Sequence, residues 1–147
     1  MVDKKNNLPN PTNVKGLMQD LVEKLDSKMQ MKRKGTLWED VRPSDAKLFL
    51  LTARHQRSIA DLAKALGISR QAAHKSVKRL LDRDVVELRQ FPGNNRDKIV
   101  VITDAGNTAR IMVAKSLGAI ESEIEERIGK KRLEEFRQTL LDLNDEP

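Results

Sequence analysis

Cysteine is absent from this 147-residue chain. Disulfides, thiolate nucleophiles and thiol-based redox sensing are therefore excluded within it. Histidine is almost as scarce. His55 and His74 have no companions at ligand or triad spacing, and no glycine-rich loop is available to cradle a phosphate. An enzyme is not expected, nor a metal site or a resident cofactor. Long hydrophobic runs are also missing: none approaches the ~20 residues that span a bilayer. The opening MVDKKNNLPNP has two lysines but no apolar stretch behind them, unlike a secretory leader. A cytoplasmic location without a membrane partner is expected. No internal repeat is visible.

What is present is charge. Charged residues make up 34% of the chain and the formal net charge is +6. The surplus is not evenly spread. Residues 54–98 hold 11 Lys and Arg against 5 Asp and Glu, and the remainder balances at 17 of each sign. A basic patch confined to one segment, in a chain with a pI near 9.7, points to an acidic partner such as nucleic acid. The length fits one domain. A chain of this size buries roughly 70% of its unfolded surface, so its core needs no metal or disulfide staple.

The basic segment has a recognisable layout. Ser58 and Asp61 form a capping-box pattern that starts a helix. Leu62, Ala63 and Leu66 are its apolar face, and Gly67 can take the left-handed conformation that ends it. Ser69 caps a second helix over about 70–83. Ala73, Val77 and Leu80 recur there at helical spacing, which turns Arg70, Gln71, His74, Lys75 and Lys78 away from the core. VVELRQF and DKIVVIT, rich in β-branched residues, then flank a turn built from Pro92, Gly93, Asn94 and Asn95. Two helices, a tight turn and a basic hairpin make a winged helix-turn-helix, which holds one helix in the DNA major groove.

The flanks read as helices. Residues 1–11, with Pro9 and Pro11, form a flexible arm. A long helix starts near Thr12 or Asn13, with Val14, Leu17, Met18, Leu21, Val22, Leu25 and Met29 as its stripe and Gly35 as its stop. Trp38, the only tryptophan, lies in a connection and is taken as a half-buried packing residue. Ser44 is expected to cap an apolar core helix containing Ala46, Leu48, Phe49, Leu50 and Leu51. Residues 53–57 are a basic link, with His55 solvated at the surface. Thr103 or Asp104 caps a long helix of about 105–128. Val113, Leu117, Ile120, Ile124 and Ile128 line one side of it, and Gly129 ends it. A last amphipathic helix carries Leu133, Phe136, Leu140 and Leu143.

These elements predict a mainly α fold with a small β-hairpin wing (α+β). Its winged helix-turn-helix core, 44–103, is flanked by helices at 12–43 and 104–147, all within one domain of 12–147. The terminal helices show more apolar surface than so small a core can cover. A homodimer is expected, with Leu17, Leu21, Leu25, Ile124, Ile128, Leu133, Phe136 and Leu140 at the contact.

LAKALGISRQAAHKSVKRLLDRDVV, the wing's Asn-Arg pair and the following ITDAG resemble the MarR family of bacterial transcription regulators. The resemblance runs from about residue 13 to 144, is strong over about 60 residues and is architectural elsewhere. Two positions depart from the pattern. Asn94 stands where the family's wing commonly has an acid, with Arg96 retained. Asp84 stands where the family often has glycine. The resemblance implies a homodimer on a near-palindromic operator, and repression relieved by a small phenolic or other anionic effector.

In the DNA-bound arrangement Ser69, Arg70, Gln71, His74 and Lys75 face the major groove. Lys78, Arg54 and Arg57 touch phosphate. Arg96, beside Asn94 and Asn95 at the wing tip, enters the minor groove, and Arg89 and Lys98 hold the flanking backbone. Two other readings share the fold: a DNA maintenance or architectural protein without a ligand switch, and a winged helix that binds protein.

Overall fold

The computed structural model describes residues 9–90, 93 and 97–145. The chain divides into two compact units, the first ending at Glu39 and the second beginning at Asp40.

The first unit is built on α1 (Val14–Arg33). Asn13 caps it, its side chain accepting from the Gly16 amide at 2.8 Å. Lys32 and Arg33 sit in the last turn, where the helix dipole favours cations. Gly35, at φ +76°, turns the chain away. None of the α1 residues is buried, and Val14, Leu17, Met18 and Val22 are exposed.

The second unit contains α2 (Pro43–Arg54), β1 (Arg57–Ser58), α3 (Ile59–Leu66), α4 (Arg70–Asp82), β2 (Val86–Gln90), β3 (Lys98–Ile102), α5 (Asp104–Ile128) and α6 (Lys130–Asn144). The start of α2 differs from the expectation. Arg42 occupies the cap without a side-chain bond, and Pro43, not a capped residue after Ser44, opens the helix. Proline's fixed φ suits the first helical position, where its missing N–H costs nothing.

Ser58 accepts from the Asp61 amide to start α3. Gly67, at φ +66°, ends it, and the Ile68 amide reaches back to the Ala63 carbonyl at 3.0 Å. Ser69 accepts from the Ala72 amide at 3.0 Å to start α4. At the other end of α4, Asp84 takes the left-handed conformation at φ 59°, which a short polar side chain tolerates better than most.

The strands form one antiparallel sheet in the order β1-β3-β2. Arg57 and Leu88 flank Val100, and Ser58 and Arg89 flank Ile99. β1 was not foreseen. Its two residues fall in the stretch expected to be a link and a helix cap, too short for a period-two pattern to show.

The core of this unit is drawn from every layer: Leu48 and Phe49 of α2, Leu62 and Ala63 of α3, Ala73, Val77 and Leu80 of α4, then Val85, Val86, Val100 and Val101. Thr103 starts α5, accepting from the Gly106 amide while its own hydroxyl donates to the Asp84 carbonyl. Gly129, at φ +90°, separates α5 from α6. Ile120 and Leu133 are buried where these two helices pack. Leu133, expected at a dimer contact, is thus covered within its own chain. Arg137 of α6 donates two bonds of 3.0 Å to Glu121 of α5.

Gly106 fixes how closely α5 approaches the sheet. A Cβ there would fall well inside contact distance of the Val85 carbonyl and press on Ile102. Gly106→Ala should therefore destabilise the fold by about 3 kcal/mol, the upper end for overpacking a tight site. Urea unfolding followed by circular dichroism measures it, and a midpoint equal to wild type would show that α5 can move outward freely.

Candidate nucleic-acid interface

α4 has two unlike sides. Ala73, Ser76, Val77 and Leu80 are buried. Arg70, Gln71, His74, Lys75 and Lys78 are all exposed. Arg70, His74 and Lys78 follow one another at four-residue steps, with Gln71 and Lys75 in the adjacent row, so the five share one helix surface. This matches the expected arrangement. Ser69 is exposed as well, but its oxygen is already the helix cap. Only its hydroxyl proton and a remaining lone pair can meet a ligand.

The orientation of this surface depends on a polar contact that the sequence reading missed. Asp45 of α2 is buried. Ser76 donates to its Oδ1 at 2.6 Å, and Arg79 donates to Oδ2 from Nε at 2.7 Å and to Oδ1 from Nη2 at 2.9 Å. Burial pushes the Asp45 carboxyl up, but the bonds from Arg79 and Ser76 outweigh it and hold its pKa below the ordinary carboxylate value. A signal was available: Asp45, Leu48, Phe49 and Thr52 are the buried residues of α2, spaced i, i+3, i+4, i+7. An acid on an apolar stripe needs a partner. Arg83, just past α4, pairs with Asp40 at 2.6 Å.

The remaining expected contacts fare differently. Arg57 is half-buried in β1, opposite Val100. Lys98 is exposed at the start of β3, opposite Gln90. Arg89 was expected to be free for a phosphate, but it pairs with Glu87 two residues before it on β2, at 2.5–2.7 Å. That spacing puts both on one face of the strand. Arg54 and Arg89 converge on a single cleft with His55 and Arg110. Asn94, Asn95 and Arg96 lie outside the described residues. Gly93 between them and Pro92 is in a turn at φ +83°. Among the described residues there is no group of three or more metal-ligating side chains, and no helix is long and apolar enough to cross a membrane.

Comparison with known proteins gives a consistent picture. The MarR family model matches residues 40–97. The fold is similar to that of apo MarR from E. coli, with a TM-score of 0.76 at 16% identity, covering 90% of this chain and 98% of the other. It is also similar to CouR, a transcriptional repressor solved on a 23-mer DNA duplex, with a TM-score of 0.70 at 16% identity, covering 90% and 92%. A MarR-family regulator from Listeria monocytogenes solved with a 26-mer DNA gives a TM-score of 0.69 at 13% identity, covering 92% and 89%. No curated protein matches the chain. The structural likenesses establish the winged-helix fold at identities too low to carry more.

Asp45→Asn should lower stability by about 1–2 kcal/mol, because it weakens the buried bonds to Ser76 and Arg79 while the half-exposed Arg79 head can turn to solvent. The contribution of Asp45 has a defined pH window. It is fully present above the unfolded carboxylate value of about 3.9 and is lost as pH falls through the lowered folded value. Wild type should therefore lose stability below about pH 4 more steeply than Asp45→Asn. Parallel acid-unfolding curves for the two proteins would contradict the assignment.

Proposed function

We propose that this chain is a member of the MarR family, whose model matches residues 40–97, and that it is a homodimeric, DNA-binding regulator of transcription. It reads a near-palindromic operator, represses, and is released by a small-molecule effector.

One observation carries the reading. α4 buries a complete apolar face and leaves Arg70, Gln71, His74, Lys75 and Lys78 exposed together on the other. An exposed helix surface of this kind, in the most basic segment of the chain, fits the major groove. Gln71 can pair with adenine through its amide, and Arg70 with guanine through two parallel bonds. Lys75 and His74 offer donors in the same groove. Lys78, Arg54, Arg57, Arg89 and Lys98 are the candidates for backbone phosphates, which position the protein without reading sequence. Arg96, with Asn94 and Asn95, is assigned to the minor groove on the sequence pattern alone. The duplexes bound to CouR and to the Listeria protein support a DNA ligand for this fold.

Apolar exposure supports the dimer. Val14, Leu17, Met18 and Val22 are exposed on α1, with Leu21 and Leu25 half-buried. Ile111, Met112 and Leu117 of α5 and Phe136, Leu141 and Leu143 of α6 are exposed too, with Ile124, Ile128 and Leu140 half-buried. That much uncovered hydrophobic surface favours association with a second copy. Two winged helices in a symmetric dimer would address half-sites roughly 34–36 Å apart.

The test is selection of bound duplexes from a random pool. Enriched sequences should be palindromic with half-sites one turn apart. On the selected site, Gln71→Ala should cost about 1–3 kcal/mol at one or two base positions. An equal loss on every sequence would make Gln71 a phosphate contact instead. Failure of the wild-type protein to enrich any sequence, with no salt-dependent affinity for duplex DNA, would end the proposal.

A further inference from the structure

Holding a duplex and telling one sequence from another place different demands on a helix. Arg70, Gln71, His74, Lys75 and Lys78 project from one side of α4, while Ser76 and Arg79 meet Asp45 of α2 on another. The helix turns as a rigid rod, so a rotation at that contact reaches the exposed side chains at the full angle. With side chains extending about 5–6 Å from the axis, a turn of about 10° moves their ends by about 1 Å. A hydrogen bond to a base edge is confined to roughly 2.7–3.2 Å, so a turn of that size breaks it. A lysine or arginine on a phosphate is less exacting, because its stem bends and its attraction acts over a longer range.

Apolar packing does not hold the angle that closely. The buried positions of α4 besides Ser76 are Ala73, Val77 and Leu80. Ala73 has nothing beyond its Cβ and Val77 is compact, and a loosened core loses its unique arrangement before it loses stability. The polar contact is stricter. Ser76 and Asp45 are only 3% and 4% exposed, and both side chains are short, so the 2.6 Å bond between them has no slack. Arg79 reaches both oxygens of the same carboxylate, and a planar guanidinium in a paired arrangement fixes direction as well as distance. Asp45 in turn is fixed by its place on the buried stripe of α2 with Leu48 and Phe49.

We propose that Asp45 is a positioning residue for sequence discrimination: through Ser76 and Arg79 it sets the rotation of α4, and with it the difference in affinity between the operator and other duplexes, while the general hold on DNA does not depend on it. The consequence for DNA rests on the reading above and adds to it a residue too deeply buried to touch a base. The setting of the helix stands on the geometry of the contact alone.

The test compares the full chain with Ser76→Ala and Arg79→Lys. Both variants keep a cation beside the Asp45 carboxylate, so the buried charge stays compensated, but each removes one of the two points that fix the angle. Affinities are measured at one salt concentration for the duplex that wild type selects and for a scrambled duplex of the same length and composition. The ratio of the two should fall about tenfold in each variant, the worth of one paired base contact. Affinity for the scrambled duplex should stay within about twofold of wild type, since phosphate contacts tolerate the turn. A wild-type ratio in either variant overturns the proposal. A parallel loss on both duplexes also overturns it, since the residue would then be general support or a phosphate contact. The helix setting is read separately, without DNA, from residual dipolar couplings of the α4 backbone amides set against those of α2. Their periodic pattern along α4 should shift or flatten in both variants, and a pattern identical to wild type overturns the proposal whatever the duplexes show. If wild type prefers no duplex while the pattern shifts in the variants, the DNA reading is removed and the hold of Asp45 on α4 is upheld.

Discussion

A single carboxylate in the core sets the geometry of the exposed cationic helix. Asp45 reaches from α2 to Ser76 and Arg79, which lie three residues apart on α4 and so project from the same side. Hydrophobic packing of Ala73, Val77 and Leu80 presses α4 against the core but is tolerant of small rotations about the helix axis. A two-point polar contact is not. Rotating α4 would leave a buried charge unpaired, a cost of several kcal/mol. Buried ion pairs add little net stability relative to apolar packing, and their better-attested use is to fix a register. Here the register decides which side chains of α4 face solvent.

Both ends of that helix are fixed by backbone conformation. At its start, Gly67 adopts positive φ and Ser69 caps the first turn, so α4 leaves α3 in a defined direction. At its end, Asp84 adopts positive φ and the chain passes at once into Val85 and Val86. The Thr103 hydroxyl then ties the end of β3 to the Asp84 carbonyl. The turn after α4, the base of the hairpin and the start of α5 are therefore one connected piece. Gly106 lets α5 sit directly over it. The arginine cleft reaches the same place, through Val101 and Ile102 at the end of β3.

The distribution of charge follows from the same arrangement. In the second unit the buried Asp45 carboxylate is compensated by the half-exposed Arg79. Arg137 of α6 is satisfied by Glu121 and Glu134, and Arg83 by Asp40. The exposed face of α4 from Arg70 to Lys78 carries no acid: Asp82 is the last residue of the helix and Asp84 lies beyond it. The basic surplus thus collects on α4 and around the cleft, where Arg89 pairs with Glu87 beside Arg54 and Arg110.

Most of what depends on neighbours within about four residues was legible in the sequence, the start of α2 and the Arg89–Glu87 pair excepted. Asn13, Ser58, Ser69 and Thr103 cap their helices. Gly67, Asp84 and Gly129 turn the chain at positive φ, and the apolar period of α4 separates its buried side from its exposed one. Helical spacing and turn chemistry are local, so a linear string records them. Tertiary structure alone decided the rest. Asp45 meets partners 31 and 34 residues away. β1 exists only because β3 offers it an edge. Leu133 is covered at the α5–α6 corner, and Arg54, Arg89 and Arg110 share a cleft. Those contacts depend on how separate elements pack. A charged residue carries the same letter whether it is solvated, paired in a core or gathered with others around an unfilled space.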